Sequence, residues 1–316
     1  MKNIGVIIEL DKGRVKEANL GMITLARAKD VKLFAFVLDK QAISVKAVLE
    51  SFGITTIVEI CLAKDQQNNP ATRAKAMINA IKKFNISMVF GLCTAMGKDF
   101  LPRMAALLDA PLVMDCFFVD LEQKTARTYQ YSGKIIATIQ LSGQTLLFGI
   151  RPNAIEPVKA QEKARILKFD SSHVFAGGLR VIKSGGAEKS TAINLAEADV
   201  IIAGGRGMKN SENFNILFQC ASKINAAVGA SRVAVDSGWV PYSMQVGQTG
   251  EKVSPKVYIA CGISGSIQHF AGMKTSGMII AINTDENASI LSNCDYYVKK
   301  DALEIIPVLT RILDNG

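Results

Sequence analysis

The chain has 316 residues, 49% of them hydrophobic and 21% charged, a balance that suits two globular domains and excludes disordered and fibrous classes. No apolar run approaches the roughly 20 residues a membrane helix needs, and the opening run Ile4–Ile8 stops at Glu9. That is too short for a signal-peptide core, so a cytoplasmic or matrix-like location is expected.

The net charge of +9 is uneven: residues 188–316 hold 11 Lys and Arg against 12 Asp and Glu, so the excess lies in the first 187 residues. There it is spread thinly over segments carrying Lys12, Arg14, Lys16, Arg27, Lys29, Lys75, Lys82 and Lys83, without interleaved aromatics. A solvated basic face accounts for this better than a nucleic-acid surface. The six cysteines form no CxxC pair, and they read as buried apolar residues in a reducing compartment, with no zinc or disulfide framework.

In chain order, Ile4–Glu9 is expected as a strand and Val15–Ala28 as a helix, where Val15, Ala18, Leu20, Ile23 and Leu25 form a stripe. A strand over Lys32–Leu38, a helix over Ser44–Phe52 and a strand over Thr55–Cys61 follow. Next come a helix over Pro70–Phe84, a strand over Ser87–Gly91 and a helix over Asp99–Leu108. This alternation predicts a parallel sheet flanked by helices. Ala126–Tyr131, Lys134–Leu141 and Thr145–Ile150 are close together and joined by Ser132-Gly133 and Ser142-Gly143-Gln144, which predicts antiparallel hairpins.

From about Phe169 to Ala192 the sequence turns glycine- and serine-rich (Ser171, Ser172, Gly177, Gly178, Ser184, Gly185, Gly186) and loses periodicity, as linkers do. The expected division is therefore an N-terminal α/β domain over 1–187, ending in a linker near 170–187, and a doubly wound C-terminal domain over 188–316. In the latter we expect strands at Asp199–Ala203, Arg232–Val235, Val257–Ala260, Met278–Ile282 and Tyr296–Val298. Helices are expected at Glu212–Asn225, Ser266–Gly272 and Leu303–Leu313.

Chemistry concentrates at strand ends of this second domain. Val200–Ala203 runs into Gly204-Gly205-Arg206-Gly207, followed by Met208–Glu212 and the start of a capped helix. Glycines allow close backbone approach, while free N–H groups and an arginine favour phosphate oxygens. Tyr258–Cys261 runs into Gly262-Ile263-Ser264-Gly265-Ser266 and then Ile267-Gln268-His269, collecting hydroxyl, amide and imidazole groups. His173, the other histidine, falls in the expected linker and reads as incidental. Gln245-Val246-Gly247-Gln248-Thr249-Gly250 alternates glycines with hydrogen-bonding side chains, a pattern that suits the edge of a planar heterocycle. Strand carboxyl ends in an open α/β sheet converge on one crevice, which Asn283 and Asp301 would also reach. A phosphate with several amides and hydroxyls suggests an adenine dinucleotide. No Ser-His-Asp order, HExxH or Walker A appears. On residues alone, a nicotinamide-binding oxidoreductase and a non-catalytic nucleotide sensor stand beside a flavin carrier.

Val228-Gly-Ala-Ser-Arg232, Val246-Gly-Gln-Thr-Gly250 and the run Tyr258–Asn283 (YIACGISGSIQHFAGMKTSGMIIAIN) closely resemble the α subunits of electron transfer flavoproteins. Gly91–Pro111 (GLCTAMGKDFLPRMAALLDAP) and Ile150–Ala154 (IRPNA) extend the likeness to the first domain. The resemblance implies a heterodimer with a β subunit, docked through the N-terminal domain, and one FAD held mainly by the C-terminal domain. The β subunit would carry AMP or, in electron-bifurcating members, a second FAD. Such a protein carries electrons one at a time from dehydrogenase donors to an oxidoreductase acceptor and is no stand-alone catalyst.

The resemblance also implies the site. Arg206 would face the FAD pyrophosphate with Ser231 nearby, and Arg232 would lie over the isoalloxazine. Val246, Gly247, Gln248 and Thr249 would line the ring, with the Thr249 hydroxyl at N5. Ser264, Gly265, Ser266, Ile267, Gln268 and His269 would wrap the ribityl and pyrophosphate region, bringing His269 to the carbonyl O2. Asn283, Asp301 and Ala302 would hold the adenosine end. Arg232 and His269 are the two candidates for the fixed cation that favours an electron-rich ring.

Overall fold

The computed structural model describes residues 2–38, 41–131, 133–175, 177 and 193–314. They fall into two units, one of Met1–Gln130 with Lys134–Gly185 and one of Tyr131–Gly133 with Gly186–Gly316. Gly178, Ser184, Gly185 and Gly186 of the expected linker lie outside the described residues. No helix among the described residues is long and apolar enough to cross a membrane.

The first unit opens with β1 (Lys2–Ile7), a two-residue hairpin of β2 (Leu10–Asp11) and β3 (Arg14–Val15), α1 (Ala18–Ala26), β4 (Val31–Leu38) and α2 (Ala42–Glu50). It continues through β5 (Thr56–Cys61), α3 (Pro70–Lys83), β6 (Met88–Leu92) and α4 (Ala95–Leu108). Then come β7 (Leu112–Asp120), β8 (Thr125–Gln130), β9 (Ile135–Gln140), β10 (Leu146–Ile150) and β11 (Arg165–Asp170). These strands, the β2–β3 hairpin apart, form one nine-stranded sheet in the order β11-β5-β4-β1-β6-β10-β7-β8-β9. Seven strands are parallel, and β8 and β9 add an antiparallel edge.

The two-residue period of a strand sorts side chains to opposite faces. Leu33, Ala35 and Val37 of β4 enter one core with Met22 and Ile23 of α1 and Val45 and Leu49 of α2. Phe34 and Phe36 enter the other with Met77 and Ile81 of α3 and Phe100 and Met104 of α4. Fully burying a side chain of this size contributes about 1.5–3 kcal/mol. Both faces are thus covered, as a parallel sheet requires.

Several expectations are corrected. The helix expected from Val15 starts at Ala18, because Lys12 and Gly13 take positive φ (47° and 80°) and fold Leu10–Val15 into a hairpin. The helix expected from Asp99 starts at Ala95, since the Thr94 hydroxyl caps it by accepting from Gly97 N at 3.1 Å. Thr145–Ile150 was expected to pair antiparallel with its predecessor. Instead β10 inserts between β6 and β7, parallel to both. Its five residues are all buried, as suits an interior strand of a sheet covered on both faces.

The winding reverses between β1 and β6. In an open α/β sheet that is where a ligand crevice forms, but here the chain fills it. Glu9 is 4% exposed, accepts from the Thr94 hydroxyl at 2.5 Å, and pairs with Lys16 Nζ at 3.2 Å. The buried Asn19 side chain bonds the Glu9 backbone at both N–H and C=O, pinning the start of α1 to the strand end.

Thr94 therefore serves two partners, the α4 N-terminus and the Glu9 carboxylate. Thr94→Val removes both bonds at constant shape, and we expect a loss of about 2 kcal/mol in a urea titration. Thr94→Ser should lose less than half of that.

Candidate functional site: the carboxyl edge of the second sheet

The second unit contains β12 (Val200–Gly204), α5 (Phe214–Lys223), β13 (Ala227–Ala230), α6 (Arg232–Asp236), β14 (Val257–Cys261) and α7 (Ile267–Met273). It ends with β15 (Met278–Ile282), β16 (Tyr296–Val298) and α8 (Ala302–Asp314). The sheet is wholly parallel in the order β13-β12-β14-β15-β16, so its winding reverses between β12 and β14. Every strand points its carboxyl end to the same edge. Ser231, Asn283 and Asp301 lie just past β13, β15 and β16 on that edge.

Arg232–Val235 was expected as a strand, and this is corrected. The strand is Ala227–Ala230, and Ser231 then starts a five-residue helix, its hydroxyl accepting from Ala234 N at 3.5 Å. The β-branched valines misled the reading, because a single helical turn on the surface overrides their strand preference. The helix after GGRG also starts later than expected, at Phe214, and Asn213 makes no side-chain cap. Arg206–Met208 is instead a 3-10 turn, with the Arg206 side chain exposed.

Past the strands, the backbone keeps pairing. Gly205 N donates to Cys261 O at 2.9 Å and Gly207 N to Gly262 O at 3.0 Å. Ser231 N reaches Gly204 O at 2.9 Å, Val246 N reaches Ala230 O at 2.9 Å, Gly262 N reaches Ile282 O at 2.8 Å, and Asn283 N reaches Val298 O at 3.1 Å. A Cβ on Gly207 would stand 2.7 Å from Gly262 Cα, and one on Gly262 would stand 2.7 Å from Gly207 Cα. Gly262 also has φ +59°, a region unfavourable to side chains. The two turns are therefore in contact backbone to backbone.

The Gln245–Gly250 loop lies on α7. Gln248 N donates to Gln268 O at 2.8 Å, and a Cβ on Gly272 would strike Gly247. Val246 is buried in the core, while Gln248 and Thr249 are exposed. Gln245, which the sequence reading placed in this loop without a part at the ring, is buried and donates through Nε2 to Thr249 Oγ1 at 3.0 Å. The Tyr242 hydroxyl donates to Thr249 O. With its oxygen engaged by Gln245, the Thr249 hydroxyl keeps its own proton to donate outward.

Ser264, Ser266, Ile267 and Gln268 are exposed at the start of α7, and Gly265 is buried against Ile290. Ser266 caps the helix through His269 N at 3.4 Å. His269 points inward: it is 5% exposed and its Nε2 lies 3.0 Å from the Tyr258 hydroxyl. Its Nδ1 is buried as well. Burial pushes the imidazole down to about 4, with the Val246 carbonyl opposing. His269 is therefore neutral at pH 7, which removes it as a fixed cation. Arg232 is exposed and pairs with Asp236 at 3.2 Å.

Asn283 bridges two turns, donating to Ile263 O at 2.9 Å and accepting from Asp285 N at 3.0 Å. Asp301 accepts from Lys209 Nζ at 2.9 Å and caps α8 through Leu303 N at 2.9 Å. Those two bonds, the lysine first, hold its carboxyl below the usual range. Lys209 is a second partner that sequence reasoning missed, because its role depends on a residue 92 positions away. Ala302 is the buried first residue of α8.

These features fit the expected dinucleotide. A backbone cradle that any Cβ would fill, an exposed arginine, exposed hydroxyls, and the side chains of Asn283 and Asp301 lie along one sheet edge. The cradle can be tested by stability alone. Gly262→Ala combines the φ penalty with a backbone clash and should cost roughly 3 kcal/mol or more in thermal unfolding. Gly238→Ala, at φ +71° with nothing within 4 Å, should cost only about 1–2 kcal/mol.

Residues 4–174 match the family model of the electron transfer flavoprotein domain, and residues 194–274 match that of the electron transfer flavoprotein FAD-binding domain. The chain is 36% identical over 307 residues to the electron transfer flavoprotein subunit alpha of Pseudomonas aeruginosa, a match spanning 97% of this chain and 98% of that protein. It is 34% identical over 309 residues to the probable mitochondrial alpha subunit of Caenorhabditis elegans, spanning 98% and 92% of the two chains. It is 32% identical over 318 residues to the alpha subunit of Thermoanaerobacterium thermosaccharolyticum, spanning 98% and 96%. The chain belongs to the electron transfer flavoprotein alpha-subunit family, and its second unit is an FAD-binding domain.

Proposed function

We propose that this chain pairs with a β subunit and holds one FAD along the carboxyl edge of its second sheet, passing single electrons from dehydrogenase donors to an oxidoreductase acceptor. FAD supplies the one-electron chemistry when bound, and the chain supplies position and electrostatics. The observation that carries this reading is the continuous edge from Arg206 to Asp301, joined by backbone bonds between successive turns.

Each residue on that edge then has a part. Arg206, with Ser231, Ser264, Gly265 and Ser266, would hold the pyrophosphate, since a guanidinium and hydroxyls are strong donors to phosphate oxygens. Val246, Gly247, Gln248 and Thr249 would line the ring, the Thr249 proton being free to donate. Ile267, Gln268 and His269 would complete the enclosure. Asn283, Asp301 and Ala302 would take the adenosine end. Arg232 remains as the fixed cation, because a guanidinium stays charged throughout the accessible pH range.

A unit charge 4 Å away contributes about 4 kcal/mol at an effective dielectric of 20. Arg232 is exposed and shares its charge with Asp236, so only a fraction of that reaches the ring. Arg232→Ala should lower the first one-electron midpoint potential by roughly 20–60 mV with FAD still bound, given about 59 mV per decade. Arg206→Ala should instead lower FAD content after gel filtration and leave the potential nearly unchanged. The reading as a whole is tested by co-expressing the chain with its β partner and recording absorbance during stepwise reduction. Flavin bands that pass through a one-electron stage support it, and a complex that takes up no FAD overturns it.

A further inference from the structure

Lys209 stands in a backbone conformation that disfavours a lysine. Its φ and ψ are +70° and −38°, and Asn210 N donates to Met208 O across it at 2.8 Å. That is the γ-turn form with positive φ, rare and strained for a residue that carries a Cβ. Glycine would take it without penalty. The turn is fixed on both flanks. Lys209 N donates to Arg206 O at 3.0 Å, and Asn213 Nδ2 donates to Met208 O at 2.7 Å.

From this turn the Lys209 ammonium reaches Asp301 Oδ2 at 2.9 Å. Asp301 follows β16, which stands three strands from β12 in the sheet order. Its other oxygen, Oδ1, accepts from Leu303 N at 2.9 Å, and its carbonyl accepts from Glu304 N at 3.0 Å and Ile305 N at 3.2 Å. Asp301 therefore caps α8 without help from the lysine. What Lys209 adds is a tie between the start of α8 and the turn that carries Arg206. The pair is open to solvent, the lysine side chain at 60% and the aspartate at 27%. An exposed ion pair stabilises a fold by less than the strained backbone at Lys209 costs, so stability does not account for a lysine at this position. Strain that the fold carries without a return in stability points to a functional constraint.

We propose that Lys209 is a positioning residue for the dinucleotide, holding the Asp301 carboxylate at a fixed distance from the Arg206 turn so that the pyrophosphate and adenosine ends of one ligand are met together. This rests on the reading above, in which Arg206 and Asp301 face those two ends. Lys209 acts through Asp301 and makes no contact with the ligand itself. Its effect falls on retention of the ligand, while Arg232 and Thr249 at the ring are left as they are.

The experiment measures the FAD dissociation constant of the heterodimer from the fluorescence of flavin released on dilution, with midpoint potentials on the same samples. Lys209→Gly relaxes the turn, so its fold is not at risk. We expect it to raise the dissociation constant about fivefold, the upper end for an exposed ion pair, at the wild-type potential. Lys209→Arg still reaches the carboxylate and should stay within about twofold of wild type. Asp301→Asn keeps the helix cap through its amide oxygen but loses the ion pair, so adding Lys209→Gly to it should change nothing further. An unchanged constant in Lys209→Gly overturns the proposal. A full loss on top of Asp301→Asn overturns the route through Asp301 and makes Lys209 a direct ligand contact. A shifted potential in Lys209→Gly overturns its confinement to the far end of the ligand. A wild-type heterodimer that holds no FAD overturns the reading on which the proposal rests, and the proposal with it.

Discussion

Beyond the last residues of β12 and β14, the two chain segments go on exchanging hydrogen bonds, and they approach closely because glycine stands at 205, 207 and 262. This contact of backbone with backbone is the constraint on which the second unit depends. Side chains there would meet backbone atoms at 2.4–2.7 Å and force the turns apart, shifting Arg206 relative to Ser264. Precision at a site built on turns usually comes from supporting side chains. Here it comes from main-chain bonds that continue the sheet into the loops.

The same economy appears in the loop that lies on α7. Gly247 and Gly272 let it pack tightly, Val246 anchors it in the core, and Gln245 bonds the Thr249 hydroxyl from beneath. Gln248 and Thr249 are thereby presented outward from a fixed base. Polar side chains on this edge are held by neighbours of two kinds: buried Tyr258 meets His269 and buried Gln245 meets Thr249, while the exposed Lys209 pairs with Asp301.

Much of this was legible in the residues. Strong local patterns gave the helix at Pro70 and the strand Met278–Ile282, which the structure places at Pro70–Lys83 and Met278–Ile282. The strand at β7 was not anticipated. Asp115 sits within it at φ +62° and interrupts the alternation that marks a strand. The edge strand β11 was missed as well, lying just ahead of the glycine-rich stretch. The position of β10 could not be read locally, since pairing with β6 and β7 is decided by segments far away in sequence. At the edge of the second sheet, glycine spacing and polar side chains pointed to the turns. Their buried partners were silent because Tyr258 reads as an ordinary core residue of a strand.

The two sheets wind alike, yet at the reversal point of the first one Glu9 sits where the second has glycine turns. This bears on redesign. Anyone wishing to place a second nucleotide in this chain would have to empty that crevice, and removing Lys16 alone would leave the buried Glu9 carboxylate without its cation. Both would have to go together, with Thr94 given a new partner. A nucleotide site at that point would therefore take several coupled substitutions, each matched to the group it leaves behind.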